Sequence, residues 1–168
     1  MGTSAFDIRR TTEDDWQNVR ALRLAMLADT PIAFAETLDD ALGHDEPEWR
    51  MRGRRGTAEH GIALAAVDAS GRWIGGMGAF STDQTGPLLV GVYVTPEHRG
   101  REAGVTDALL AVIEDWARGE GDVLTLHVHE DNLHARAAYE RRGFTLTGDA
   151  HPYNLDATRN ELVMAKPL

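Results

Sequence analysis

Two rhythms of apolar spacing divide this chain. Between residues 11 and 29 the rhythm is helical: Val19, Leu22 and Met26 stand at i, i+3 and i+7, behind two threonines and the acids Glu13, Asp14 and Asp15. A threonine can cap the free N–H groups of a first turn, and acids there meet the positive end of the helix dipole. An amphipathic helix is therefore predicted over 11–29. The stretch FDIRR (6–10) before it reads as a short strand, and Pro31 breaks it. Residues 36–52 predict a second, poorer helix with Pro47 inside it, ending at Gly53.

The other rhythm belongs to strands. GIALAAVDASGRWIGGMGAF (61–80) reads as two strands around a turn at DASG, apolar at nearly every position, which predicts cover on both faces. PLLVGVYV (87–94) follows, halted at Thr95-Pro96. The helical period returns over 104–118, with Val105, Leu109, Val112, Ile113 and Trp116 on one face and Gly119 and Gly121 to stop it. DVLTLHVH (122–129) alternates Leu124, Leu126 and Val128 against Thr125, His127 and His129, a strand with one buried face. NLHARAAYERRG (132–143) predicts a helix capped by Asn132 and closed by Gly143, and FTLTG and ELVMAKPL supply terminal strands. Pocket loops are expected at 30–60 and 147–160. The order β-α-α-β-β-β-α-β-α-β-β predicts an α/β (α+β mixed) fold, a central mixed sheet with helices on both faces.

Composition narrows the picture. At 168 residues, 42% hydrophobic and 26% charged, with no repeat or long linker, the chain suits a single domain spanning 1–168. No apolar run approaches ~20 residues, so no spanning helix is predicted. The first residues show no basic region leading into an apolar one; no signal peptide is expected, and a cytoplasmic location is. The lack of cysteine removes disulfide and thiolate chemistry. Seventeen Lys and Arg against 27 Asp and Glu give a net charge of −10, which repels nucleic acid and anionic membranes. Neither is expected as a partner.

In so acidic a chain the segment TPEHRGREAGVTDALL (95–110) stands out. It sets Arg99, Arg101, Gly100 and Gly104 between a strand and the start of a helix. Orphan N–H groups and the helix dipole make that junction a site for a small anion. Glycines permit close approach, and arginines add bidentate donors. The Gly-Lys-Ser/Thr ending of a nucleotide P-loop is missing.

Thirty residues on, LHVHEDNLHARAAYERRGF fits the pattern L-x-V-x-x-x-N-x-x-A-x-x-x-Y-x-x-x-G-F through Leu126, Val128, Asn132, Ala135, Tyr139, Gly143 and Phe144. Here the chain resembles the GNAT superfamily of acyl-CoA-dependent N-acyltransferases. LLVGVYVTP with RGREAGV resembles the cofactor motif of that family, NLHARAAYERRGF its second motif, and LRLAMLADTPIAFAET and ELVMAKPL its two ends. The resemblance implies a mostly antiparallel twisted sheet of about seven strands in which strands four and five splay apart. The glycine motif, Arg/Gln-x-x-Gly-x-Gly/Ala in the family, fits in two registers. Arg99-x-x-Glu102-x-Gly104 sets a carboxylate where glycine belongs. Arg101-x-x-Gly104-x-Thr106 keeps the first glycine at the expense of two extra loop residues, which cost well under ~1 kcal/mol of closure entropy. The second register is preferred.

The resemblance further implies acetyl-CoA as cosubstrate and no metal. Its pantetheine arm would lie along Val92, Tyr93, Val94 and Asn132, and its pyrophosphate on the segment Arg99, Gly100, Arg101, Glu102, Ala103, Gly104, Val105 and Thr106. A backbone N–H of strand four would meet the oxyanion. Tyr139, with a reference pKa of about 10, would protonate the departing thiolate. Strand four carries no glutamate to act as base, which leaves His127 and His129 as candidate proton relays. Phe34 and Glu36 would line the acceptor pocket, and an acidic chain suits cationic acceptors: polyamines, aminoglycosides, or lysine and N-terminal amines. Dimers are common in the family, which leaves a homodimer open. Two rival readings remain: a catalytically silent acyl-CoA-binding module, and a metal site among His127, His129, Glu130, Asp131 and His134.

Overall fold

The computed structural model describes residues 5–168. Residues 1–4, which the single-domain and leader readings included, lie outside the described residues. Strand β1 (Phe6–Arg10) passes through one 3-10 turn into helix α1 (Trp16–Asp29), where Asp15 accepts from the N–H of Thr12 at 2.8 Å. Residues 36–52 are not one helix. They form α2 (Leu38–Leu42) and part of α3 (Glu46–Arg54), because Asp45 starts a fresh helix by accepting from the N–H of Glu48 at 3.2 Å. Pro47 then sits in a first turn, where a missing N–H costs nothing. β2 (Gly61–Asp68), β3 (Trp73–Thr82) and β4 (Gly86–Val94) follow as a meander, then α4 (Val105–Ala117), β5 (Val123–His129), α5 (Leu133–Glu140), β6 (Thr145–Tyr153) and β7 (Asp156–Pro167).

The seven strands form one sheet in the order β1-β2-β3-β4-β5-β7-β6. Every neighbouring pair is antiparallel except β4 with β5. The sheet carries a core on each face. Under α4 and α5 lie Leu109, Ile113, Leu124, Leu126 and Phe144, and under α1 to α3 lie Met26, Leu27, Trp49 and Tyr93. The sequence Gly75-Gly76 in β3 explains how both layers come so close. A Cβ on Gly75 would lie 3.3 Å from Val105 of α4, and one on Gly76 would lie 3.0 Å from Leu22 of α1. Side chains there would push a helix off either face.

Two expectations change. The buried row of α4 runs through Val105, Leu109, Ile113 and Ala117, with Leu110 beside it, so Val112 falls on the margin and is exposed. Residues 147–160 are mostly the two strands of an outer hairpin rather than loop. Most of their side chains are solvated, which hides the alternation that betrays a strand. The Tyr153 hydroxyl donates to the Phe34 carbonyl at 2.7 Å and pins this hairpin to the loop after α1.

Candidate active site

The parallel strands β4 and β5 pair at Leu88 with Thr125 and at Leu89 with Leu126. Past these pairs β4 bulges. Gly91 takes φ +61, a left-handed conformation that glycine adopts without strain, and the β3–β4 register slips between Gly76 and Gly78. The two strands part, and a cavity of about 1040 Å³ fills the opening. Asn132, Ala135 and Tyr139 line it from one layer, and Leu22, Arg23, Met26 and Phe34 from the other. The cavity therefore passes through the sheet. Thr95 donates its N–H to Ile74 of β3 at 2.9 Å, so by strand alternation the N–H groups of Val94 and Val92 face the open side. Tyr93 turns its ring the other way, into the core under α1 to α3.

At the C-terminal end of β4 the loop 99–104 meets α4. Gly104 is the helix N-cap with φ +69, and Gly100 has φ +105. Nothing lies within 4 Å of where a Cβ on Gly100 would sit. Around them the N–H groups of Arg101, Glu102, Ala103, Val105 and Thr106 find no acceptor among the described residues. Arg101, Glu102 and Ala103 are exposed. Arg99 is anchored: its Nε donates to the Val94 carbonyl at 2.8 Å, it pairs with Asp29, and its guanidinium lies 5.5 Å over the Tyr93 ring.

Two kinds of proton group line opposite sides of the opening. On the α5 side, burial pushes Tyr139 up to about 12, with Arg142 pulling slightly the other way. Its hydroxyl has no protein partner, yet among the described residues the only unpaired side-chain polar atom fully shut from solvent is Trp49 Nε1. The Tyr139 oxygen therefore keeps an open face. Asn132 caps α5 through Oδ1, which accepts from the N–H of Ala135 at 3.2 Å, and its amide NH2 has no partner among the described residues.

On the other face, His127 and His129 share a side of β5, as their spacing implies. His129 is 5% exposed, its Nδ1 accepts from the N–H of Asp131 at 3.1 Å, and it meets Tyr153 edge-on. His127 looks into the cavity, 4.4 Å from the ring of His151 and 3.9 Å from Glu161 Oε2. Glu161 in turn holds His151 Nε2 at 3.0 Å. Burial, then the neighbouring His151, lowers the His127 pKa, with Glu161 opposing. The ligating atoms of His127, His151 and Glu161 lie within 4.8 Å of one another, a donor set that could also take a metal ion. The HVHEDNLH segment does not converge in that way.

Phe34 is 7% exposed and lines the cavity beneath Arg23, whose guanidinium is 5.0 Å from its ring. Glu36 is already committed. Its two oxygens bind Arg23 at 2.8 Å, Arg52 at 2.9 and 3.0 Å, and His44 at 2.7 Å. Burial alone would raise its pKa, but the hydrogen bonds from Arg52, Arg23 and His44 outweigh it and hold Glu36 at about 2.

The family model for GNAT acetyltransferases matches residues 17–144. The chain belongs to the GNAT family. Among solved GNAT structures, nourseothricin acetyltransferase is 30% identical over 65% of this chain and 66% of its own, with a TM-score of 0.57. A ribosomal-protein-alanine N-acetyltransferase from Brucella melitensis is 22% identical over 96% and 99%, with a TM-score of 0.76. The PaiA N-acetyltransferase of Thermoplasma acidophilum, solved in complex with coenzyme A, is 17% identical over 97% and 99%, with a TM-score of 0.74. No curated protein sequence matches the chain. The seven-stranded sheet with its parallel β4–β5 pair is the GNAT fold. No helix among the described residues is long and apolar enough to cross a membrane.

Sequence reasoning missed three residues of this GNAT cavity: His151, Glu161 and Arg55. The first two come from β6 and β7, and only the strand order β5-β7-β6 brings them beside His127. A usable signal existed in the pairing of DVLTLHVH with NELVMAKP, which sets His129 opposite Glu161.

Proposed function

We propose that this GNAT chain, a single acyltransferase domain, is an N-acetyltransferase that moves the acetyl group of acetyl-CoA to a primary amine. The observation that carries the reading is the cavity through the β4–β5 opening, with a proton acceptor on one face of the sheet and a proton donor on the other.

The residues present fit the cosubstrate. Unpaired N–H groups around Gly100 and Gly104, at the start of a thirteen-residue helix, suit a pyrophosphate. Gly104 at the N-cap favours the register Arg101-x-x-Gly104-x-Thr106, with Glu102 free to turn to solvent. Val92, Val94 and the amide of Asn132 suit the pantetheine arm. Bound there, acetyl-CoA supplies a thioester whose carbonyl carbon forms the new C–N bond as the C–S bond breaks.

The protein's own groups then divide the work. His127, held neutral at pH 7 by its lowered pKa, accepts the ammonium proton of the acceptor, directly or through a water. Glu161, bonded to His151 and close to His127, stabilises the imidazolium that results. His129 positions Tyr153 and the 129–131 turn. The N–H of Val92 donates to the oxygen that gains charge. Tyr139 protonates the thiolate: a phenol near 12 keeps its proton at pH 7, and its open face is where the departing sulfur would take it up.

A thiol-release assay with acetyl-CoA and a panel of amines tests this. Release of CoA that depends on the amine, with an N-acetylated product by mass spectrometry, supports the reading. Acetyl-CoA binding without release would make the chain a silent acyl-CoA-binding module. Loss of turnover on adding a chelator would replace the relay at His127, His151 and Glu161 by a metal ion.

A further inference from the structure

The charged side chains on the cavity wall are Arg23, Arg52, Arg55 and Glu161. Glu36 and Glu48 stand behind Arg23 and Arg52, so Arg55 is the arginine of this wall that has no carboxylate partner among the described residues. Arg99 and Arg101, which belong to the cosubstrate loop, lie outside this wall. Arg55 therefore stands apart from the pyrophosphate loop.

Two of the wall arginines are neutralised from within. Arg23 pairs with Glu36 at 2.8 Å, and Arg52 pairs with Glu36 and Glu48, each at 2.9 Å. Arg55 has no ion pair and no side-chain hydrogen bond among the described residues, although it lines both the main cavity and an adjoining one of about 560 Å³ beside Glu36, Arg23 and Arg52. Its backbone is fixed, because the next residue, Gly56, sits so close to β1 that a Cβ there would fall 2.1 Å from the Thr11 carbonyl oxygen. Arg55 is exposed by area, but protein packs densely enough around its head to lower its pKa, with Arg52 and Arg23 adding repulsion and Glu48 and Glu36 opposing it. A half-desolvated cation without a partner of its own gains from an oxyanion, and a guanidinium offers two parallel donors to one. A purely cationic acceptor would find Glu36 already occupied.

We infer that the acceptor is a zwitterion, an amine that also bears an oxyanion such as a carboxylate, and that Arg55 pairs with the oxyanion while the amine faces His127. This rests on the acetyl-transfer reading and narrows its substrate class, away from polyamines and aminoglycosides.

The test uses the full chain, acetyl-CoA and matched acceptors: amino acids, their methyl esters, and aminoalkylphosphonic acids of the same length. Wild-type enzyme should favour the acid over the ester in kcat/KM by about tenfold or more, the range of a charged hydrogen bond. The phosphonate arm tells a carboxylate site from a general oxyanion site. Arg55→Ala should remove most of that preference, Arg55→Lys should restore part of it, and Arg118→Ala, at an exposed position outside the cavity, should leave it intact. Melting curves of the variants identify any that fail to fold, and the wild-type preference alone still decides. Turnover of esters or polyamines in preference to acids overturns the inference and leaves the acetyltransferase reading standing. So does turnover of other amines with none of any acid, whereas acetyl-CoA binding with no turnover of any acceptor overturns both the inference and the transfer reading. Absence of both acetyl-CoA binding and thiol release overturns both.

Discussion

On the proposed acetyl-transfer reading, Tyr139 and His127 divide the chemistry at the scale of single side chains, and each gives a distinct kinetic signature. Replacing Tyr139 by Phe removes a proton donor and little packing, since the ring still meets Phe144 at 5.7 Å. The expected result is a fall in kcat of about 10²-fold with acetyl-CoA affinity nearly unchanged, read by steady-state kinetics beside a binding titration. A kcat within about threefold of wild type would remove Tyr139 from the mechanism. His127 works as a base only when neutral, and its pKa is lowered. At saturating acceptor, kcat should therefore hold as pH falls to about 6.5 and drop only below it. His127→Gln should lower kcat and abolish that inflection. An inflection above 6.5, or one that survives His127→Gln, would assign the base elsewhere. The motif spacing made Tyr139 and Asn132 legible in the sequence. His151, Glu161 and Arg55 were not, because each reaches the cavity through strand order or a packed turn rather than through proximity along the chain.

Elements carry the next level, and Glu36 shows how. It joins Arg23 of α1, His44 between α2 and α3, and Arg52 of α3, so one carboxylate ties together the helical layer on that face of the sheet. Its pKa is depressed from the ordinary 4.5 to about 2, so its contribution is fully present above pH 4.5 and is lost as pH falls from 4.5 toward 2. Discounted for a partly solvated site, that contribution is on the order of 2 kcal/mol. Glu36→Gln should thus lower Tm by about 4–8 °C at pH 7, a gap that narrows as the pH is taken down through this window. Equal melting of the two proteins at pH 7 would show the cluster to be dispensable. Helical spacing was legible within 36–52, but not its division, because Pro47 reads as a flaw inside one helix until Asp45 is seen to cap a fresh start through the N–H of Glu48. The 147–160 hairpin was illegible for a different reason. Its strands lie at the sheet's outer edge, and solvation of most side chains erases the alternation that marked β5.

Across the whole molecule, a net charge of −10 opposes a polyanionic cosubstrate, so on the proposed reading acetyl-CoA would be held by local geometry: the amides around Gly100 and Gly104, and the opening between β4 and β5. A ligand that bridges this loop, β4 and α5 stabilises the folded state as a unit, since the unfolded chain offers no such cradle. With a Kd of ~10 μM, 1 mM acetyl-CoA should add about 2.7 kcal/mol, or roughly 5–11 °C in Tm for a domain of this size. ATP, which has phosphates but no pantetheine arm, should give much less. Gly104→Ala adds a Cβ at φ +69, costs about 1–2 kcal/mol of folding free energy, and re-aims the amides of the loop. Its own Tm should fall, and its acetyl-CoA shift should shrink further than a simple loss of stability explains. Equal shifts in the two proteins would move the pyrophosphate away from Gly104 and return the choice to the Arg99 register. No shift in wild type would leave the fold intact and the proposed donor site without support.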